Sequence, residues 1–343
     1  MIDRARFWVS GVLAASWVFN ASCGGREIAS PVAPSVIPTM ALTTPGSARG
    51  SEPGTAASAE SDVPQPAGAV EAVLIGAGDI AVCDAIHRAG ATARLMASLL
   101  SDRRAIGITL GDNSNNDGRP EEYANCFRGT WGQLDVRPSP GNHDDYDEQW
   151  GHGGNAYFEY FGARAGPAHR GYYSFDAGTW HVVSLNSEII NRGSQEIAQL
   201  AWLKSDLSAA PEGACTLAYF HRPMVSSGEF AARRMSRLWD VLYAAGVDLV
   251  INGHEHFYER FAPQTPRGAL DHAFGIRQFI VGTGGAEFHR SGPRAPQSEL
   301  VIEEALGVIK LTLRPTEYDW EFIDVDHVVR DSGSDRCHGK PLR

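Results

Sequence analysis

Five short polar clusters in this chain carry residue types that hold metal ions or move protons, and each stands at the end of an apolar run. Gly78-Asp79 follows Val73-Leu74-Ile75, Gly111-Asp112-Asn113 follows Ile106 to Leu110, and His221 follows Thr216 to Phe220. Gly253-His254-Glu255-His256 follows Val247 to Ile251, and Gly141-Asn142-His143-Asp144 follows a segment running through Pro138 and Pro140. Mixed imidazole and oxygen donors suit Zn, Fe or Mn better than Ca, which takes an all-oxygen shell. His254 and His256 stand two apart, so in extended chain they face one way and can share a target. The neighbouring glycines permit tight turns and close backbone approach. Singly, each cluster is weak evidence. An Asp after Gly is commonly a turn or helix-cap residue, and a lone His commonly packs at a core edge. Their joint occurrence in order, all at strand ends, points to one cleft.

The elements that must position these groups alternate. Gln278 to Val281 reads as another strand, while Met235, Leu238, Trp239 and Leu242 form one helical stripe that Gly246 stops. Ile197, Leu200 and Leu207 form a weaker stripe ahead of Pro211, and Ile86 to Leu100 suggests a third helix. Gly171 to Leu185 and Val308 to Val325 read as consecutive strands. The pattern predicts an α/β domain with helices packed outside a layered sheet. In open α/β sheets ligands bind beyond the carboxyl ends of strands, where these clusters lie.

The chain has 343 residues, 43% hydrophobic and 21% charged, with a formal net charge of −11. That balance excludes a disordered, collagen-like or multi-span membrane protein. Net acidity argues against a general nucleic-acid binder, but not against phosphate substrates, since bound cations set the local field. Residues 1–23 read as a secretory signal: Arg4 and Arg6, an apolar run from Phe7 to Val18, then Ala21 and Ser22. The run falls short of the about 20 apolar residues a membrane span needs. Asn20-Ala21-Ser22-Cys23 resembles a bacterial lipobox, with Cys23 the lipidation site and a membrane tether; Asn20 departs from the usual aliphatic residue, and simple cleavage is the alternative. Residues 24–69 lack aromatics and read as a disordered tether rich in Pro, Ala and Ser. One folded domain is expected over 70–330, with a tail over 331–343. Cys83, Cys126, Cys215 and Cys337 allow three disulfide pairings. Cys83–Cys126 and Cys215–Cys337 are favoured, because they tie two chemistry-bearing loops together and pin the C-terminus to a core strand.

Taken in order, Asp79, Asp112 in GDN, Asn142 to Asp144 in GNHD, His221 in FHRP and His254 to His256 in GHEH resemble the calcineurin-like metallophosphoesterase superfamily. The stretches Gly171 to Glu188 and His256 to Phe261 are similar to its purple acid phosphatase-like branch. The resemblance implies a four-layer α/β/β/α sandwich and a centre of two divalent or trivalent ions, Zn, Fe or Mn. It implies that Asp112 bridges them, that Asp79 and His256 serve one, and that Asn142, His221 and His254 serve the other. Two positions depart from the family pattern. Ala81 stands where many members carry His, and Asn115 stands where the purple branch carries Tyr, leaving either the Asn115 carbonyl or water to fill the place of the missing ligand.

The implied reaction is hydrolysis of phosphate monoesters by a metal-held hydroxide, with His143 protonating the leaving group and Asp144 orienting His143. Arg222 is a candidate contact for substrate phosphate or a surface ion pair, and Tyr157 to Phe161 lines the cleft or the core. The expected protein is an exported monomer, periplasmic or at the cell surface, acting on a small phosphate ester and binding no nucleic acid. A phosphodiesterase or nucleotide hydrolase is the alternative, and a surface lipoprotein that has lost catalysis is a third reading.

Overall fold

Short apolar runs, broken by glycine-rich loops, become strands in this computed structural model, which describes residues 71–144 and 155–338. The signal reading of residues 1–23 with Cys23, and the tether reading of 24–69, lie outside the described residues. In chain order the strands are β1 (Ala72–Ala77), β2 (Ala105–Leu110), β3 (Val136–Ser139), β4 (Tyr173–Ala177), β5 (Trp180–Ser184), β6 (Thr216–Tyr219) and β7 (Leu249–Asn252). They continue with β8 (Tyr258–Phe261), β9 (Arg277–Val281), β10 (Ser298–Ile302), β11 (Gly307–Leu313), β12 (Glu317–Asp324) and β13 (Val329–Arg336). The helices are α1 (Ile86–Leu99), the single turn α2 (Pro120–Glu122), α3 (Asn155–Phe161), α4 (Ser194–Ala209) and α5 (Ser236–Ala245).

Two sheets result, ordered β13-β12-β11-β1-β2-β3 and β10-β8-β9-β7-β6-β5-β4. β1, β2 and β3 run parallel, as do β5, β6, β7 and β9, so their carboxyl ends gather at one rim. Strand alternation sorts the second sheet's side chains. Val182, Leu217, Leu249, Ile251 and Phe279 face the first sheet, in one core with Ile75, Ile108 and Leu311. Val183, Ala218 and Val250 face the other way, onto Leu203, Leu207, Leu238, Trp239 and Leu242 of α4 and α5. Ala89, Leu95 and Met96 of α1 cover the first sheet. The layers are α/β/β/α.

Gly246 ends α5 in the left-handed conformation, φ 76°, which glycine enters without Cβ strain. The α4 stripe differs from its sequence reading. Ile197 is 68% exposed, while Glu196 and Gln199 are buried instead. The reason is hydrogen bonding: Gln199 Oε1 accepts from Asn186 N at 2.9 Å and its Nε2 donates to Asn186 O at 2.9 Å, so a polar side chain fixes the loop after β5. Phe161 packs on Tyr123 and Phe127, and Tyr157 on Phe161, in the main core, which settles that segment as packing. The disulfides Cys83–Cys126 and Cys215–Cys337 are present. β13 runs to Arg336, past residue 330, because it pairs with β12 along its length. Among the described residues no helix is long and apolar enough to cross a membrane.

Candidate metal centre

The loops after β1, β2, β3, β6 and β7 converge. Ile80 N donates to Asp112 O at 2.9 Å and Asp79 N to Gly111 O at 3.1 Å, extending the β1–β2 pairing into the loops. Gly78 N donates to Val281 O at 2.9 Å, stitching the end of β1 to β9 of the other sheet. Asp79, Asp112 and His254 all have positive φ (59°, 49° and 73°). Each such residue costs about 1–3 kcal/mol, a strain that persists where the surroundings fix a side chain for a purpose. Crowding explains one glycine directly: a Cβ at Gly141 would lie 2.2 Å from Asp112 Oδ1.

The donor atoms of Asp112, His221 and His254 lie within 4.8 Å of one another. His221 Nε2 is 3.2 Å from Asp112 Oδ2, 3.1 Å from Asn142 Oδ1 and 3.1 Å from His254 Nδ1. Beside this group, His256 Nε2 is 3.2 Å from Asp79 Oδ1. Backbone amides support both carboxylates: His143 N donates to Asp112 Oδ1 and His254 N to Asp79 Oδ2, each at 2.8 Å. The structure thus brings Asp79, Asp112, Asn142, His221, His254 and His256 together.

These residues fit cations. His221 Nδ1 donates to Leu110 O at 2.9 Å and His256 Nδ1 to Glu287 O at 2.6 Å, which turns each Nε2 lone pair toward oxygens that can only accept. Asp79 Oδ1 is buried without a hydrogen-bond partner, the mark of a missing positive species. Protons otherwise fill that role. Burial disfavours charge on His221, but the Asp112 and Asp79 carboxylates outweigh it and raise its pKa to about 9. Burial opposes His256 likewise and Asp79 raises it. Burial would raise Asp112, yet the imidazoles of His221, His143 and His254 hold it well below the carboxylate range. His254 is the exception. Burial, then His221 and Arg222, lower its pKa, and Arg222 Nη1 sits 2.9 Å from its Nε2. A guanidinium only donates, so Arg222 takes the His254 Nε2 lone pair and leaves Nδ1 facing His221.

Other candidates sit differently from their sequence reading. Asp144 does not reach His143. It is fully buried and accepts from Asn113 N (3.0 Å), Asn113 Nδ2 (2.9 Å), Ser114 N (3.1 Å), Gly141 N (3.0 Å) and the Tyr123 hydroxyl. A short, buried carboxylate meets the nearest amides, so Asp144 ties the loops after β2 and β3 together. Burial and the Asp112 charge raise its pKa to about 6. The Asn116 carbonyl takes His143 Nδ1 instead, leaving Nε2 3.9 Å from Asp112 Oδ2 with the ring 40% exposed. Asp112 raises the His143 pKa against burial. Arg222 is an ion pair, though an enclosed one: its Nε lies 2.8 Å from Glu188 Oε2. Asn115 is buried, with Oδ1 lacking a partner, and its N donates to Ala81 O at 2.9 Å, so the two departures from the family pattern are neighbours.

Sequence reasoning missed Glu188, Glu255, Glu259 and His289. Glu255 stands between two candidate ligands in the bend that joins β7 to β8. It accepts from Phe230 N at 2.7 Å, and Glu259 from Ser227 N at 3.0 Å. His289 stacks on His256 with ring centroids 3.7 Å apart; nothing around it in sequence signals that.

The calcineurin-like phosphoesterase profile matches residues 75–258, more than half of the chain. The chain is 38% identical over 95 residues to purple acid phosphatase 15 of Arabidopsis thaliana, a match spanning 26% of this chain and 18% of that protein. It is 29% identical over 147 residues to human acid phosphatase type 7, spanning 36% of this chain and 31% of the relative. These matches therefore cover less than a third of either relative. In fold, it superposes on a purple acid phosphatase from yellow lupin (Lupinus luteus) seeds with TM-score 0.58 at 18% identity, covering 77% of this chain and 53% of that one. It superposes on GAP50, the anchor in the inner membrane complex of Plasmodium, with TM-score 0.62 at 16% identity, covering 79% and 90%. Such distant structural likeness speaks for fold alone. With the profile spanning the clusters from β1 to β8, the chain belongs to the calcineurin-like phosphoesterase family, and over part of its length it is similar to acid phosphatases of the purple type.

Proposed function

We propose that this protein is an exported metal-dependent phosphatase that hydrolyses phosphate monoesters at a two-ion centre. The supporting observation is the convergence of Asp112, Asn142, His221 and His254 beside the Asp79–His256 pair, with electron-rich atoms turned on one another. Asp79 and His256, with Asn115 nearby, would hold one ion, and Asn142, His221 and His254 the other, with Asp112 between them. Held by these residues, two cations would supply Lewis acidity, offsetting charge on phosphoryl oxygens and making water more acidic.

The chain's own residues do the rest. His143 has its Nδ1 committed to Asn116 O, so Nε2 is the atom that holds a proton and delivers it to the leaving oxygen. Asp144 keeps the loop bearing Asn142 and His143 against the loop bearing Asp112. The Glu188–Arg222 pair sets the ring of His254 and places a guanidinium where phosphate oxygens would approach. Phe230, 48% exposed and 5.7 Å from the His254 ring, offers a wall for the ester's organic part. Two disulfides support folding in an oxidising compartment, and Cys23 is the proposed anchor point there.

The test is hydrolysis of a chromogenic phosphate monoester by the full chain, before and after chelation, with Zn, Mn or Fe restored. Chelator-sensitive turnover that returns with metal, and is abolished along with metal binding in Asp112→Ala, is the expected result. Turnover of a chromogenic diester alone would make the protein a phosphodiesterase. No turnover with any metal would reject the enzyme and leave a ligand-binding surface protein.

A further inference from the structure

The segment that follows His221 serves two places. Phe230 meets the rings of His254 and His289, at 5.7 and 5.2 Å. Met224, Val225, Ser226 and Ala231 of the same segment line a separate cavity of about 660 Å³.

Its charge runs against that of the molecule. The chain carries 41 Asp and Glu against 30 Lys and Arg. Yet Arg233, Arg267 and Arg294 line this cavity, and among its described lining residues there is no carboxylate. Nor do these arginines find one elsewhere among the described residues. Arg294 Nη1 donates to the backbone Glu299 O at 2.9 Å, while the Glu299 carboxylate is engaged by Arg260 and by Arg277, the latter at 2.9 Å. All three are exposed and line the one cavity, and the fork of N–H donors on each matches an oxyanion.

One residue behind the wall has an unmet demand. Gln264 is fully buried, and neither its Nε2 nor its Oε1 has a hydrogen-bond partner. Buried amides left so are costly, and native structures rarely keep them. The remaining surface mixes Ser226 and Ser236 with apolar Met224, Val225, Ala295 and three prolines. A volume in this range suits a small molecule with a few fixed polar contacts.

We propose that this cavity is a second ligand site, distinct from the metal centre, for a small organic oxyanion. The guanidinium groups take the anionic head, and the prolines and Met224 take a flat apolar body. Nothing in this assignment depends on the phosphatase reading.

The test is calorimetric titration of phenylphosphonate, and separately of benzoate, into the full chain stripped of metal by chelation. Wild type is compared with Asp112→Ala and with the double variant Arg233→Gln/Arg267→Gln; both arginines are exposed, so the variant keeps its core. Saturable binding that survives Asp112→Ala and weakens at least roughly tenfold in the double variant supports the site. Tighter phenylphosphonate assigns a phosphoryl head and tighter benzoate a carboxylate. Absence of binding for both probes, or binding that the double variant leaves unchanged, overturns the proposal.

Discussion

Asp112 depends on a neighbour that has no side chain. Gly141 closes over it so tightly that a methyl group would lie 2.2 Å from Oδ1 and 2.4 Å from the backbone N. Gly141→Ala should therefore lower metal content and activity together while far-UV circular dichroism stays native; an unchanged metal content would show that the loop yields. His143→Ala separates roles more sharply. It deletes the ring but keeps the backbone N–H on Asp112, so turnover should fall roughly 10²–10⁴-fold with metal content unchanged. Loss of metal would make His143 structural instead. These residues were legible because each sits within a residue or two of a glycine at a strand end, a pattern that survives in one dimension. Asp144 was legible as a site residue but not in its role. Its five donors come from residues 113, 114, 123 and 141, and no local spacing encodes which side chain a buried carboxylate will face.

At the scale of elements, β4, β5 and α4 meet through one imidazole. His181 Nε2 lies 2.8 Å from Asp206 of α4 and Nδ1 lies 3.1 Å from Asp176 of β4. Burial alone would lower the His181 pKa, but the two aspartates outweigh it and raise it to about 9. Because the folded value lies above the unfolded one of about 6.5, the added stability is fully present below pH about 6.5. It is lost as pH rises to about 9, and after discounting for solvent screening it amounts to about 1–2 kcal/mol. Denaturant midpoints should fall over that window in wild type and not in His181→Gln; equal slopes would remove the aspartates as the cause. The same region shows why helices were read less well than strands. α5 buries Leu238, Trp239 and Leu242, an apolar stripe that periodicity finds. α4 buries Glu196 and Gln199, whose amide and carboxylate meet backbone groups, so hydrophobic spacing misplaces its inner face. β13, exposed and polar, had no apolar pattern to find.

For the whole molecule, two covalent ties join distant stretches of chain. Cys215–Cys337 spans 122 residues and fastens the end of β13 to the start of β6. Constraining so long a loop in the unfolded chain contributes about 2–5 kcal/mol. The double variant Cys215→Ala/Cys337→Ala should then melt roughly 5–15 °C lower; an unchanged melting temperature would mean that the tail is held by its hydrogen bonds alone. β13 itself closes the first sheet on one flank. An outermost strand offers its unmatched N–H and C=O groups to any other chain that comes alongside. Here Asp331 accepts from Tyr258 at 2.7 Å and Arg260 at 2.8 Å, and Asp335 from Arg277 at 3.0 Å, while Arg330 and Arg336 stay exposed. A register shift at Phe322/Ile323 twists the ribbon further. Copies crowded together therefore meet charge and a kinked backbone at this flank, and a growing intermolecular sheet stops there.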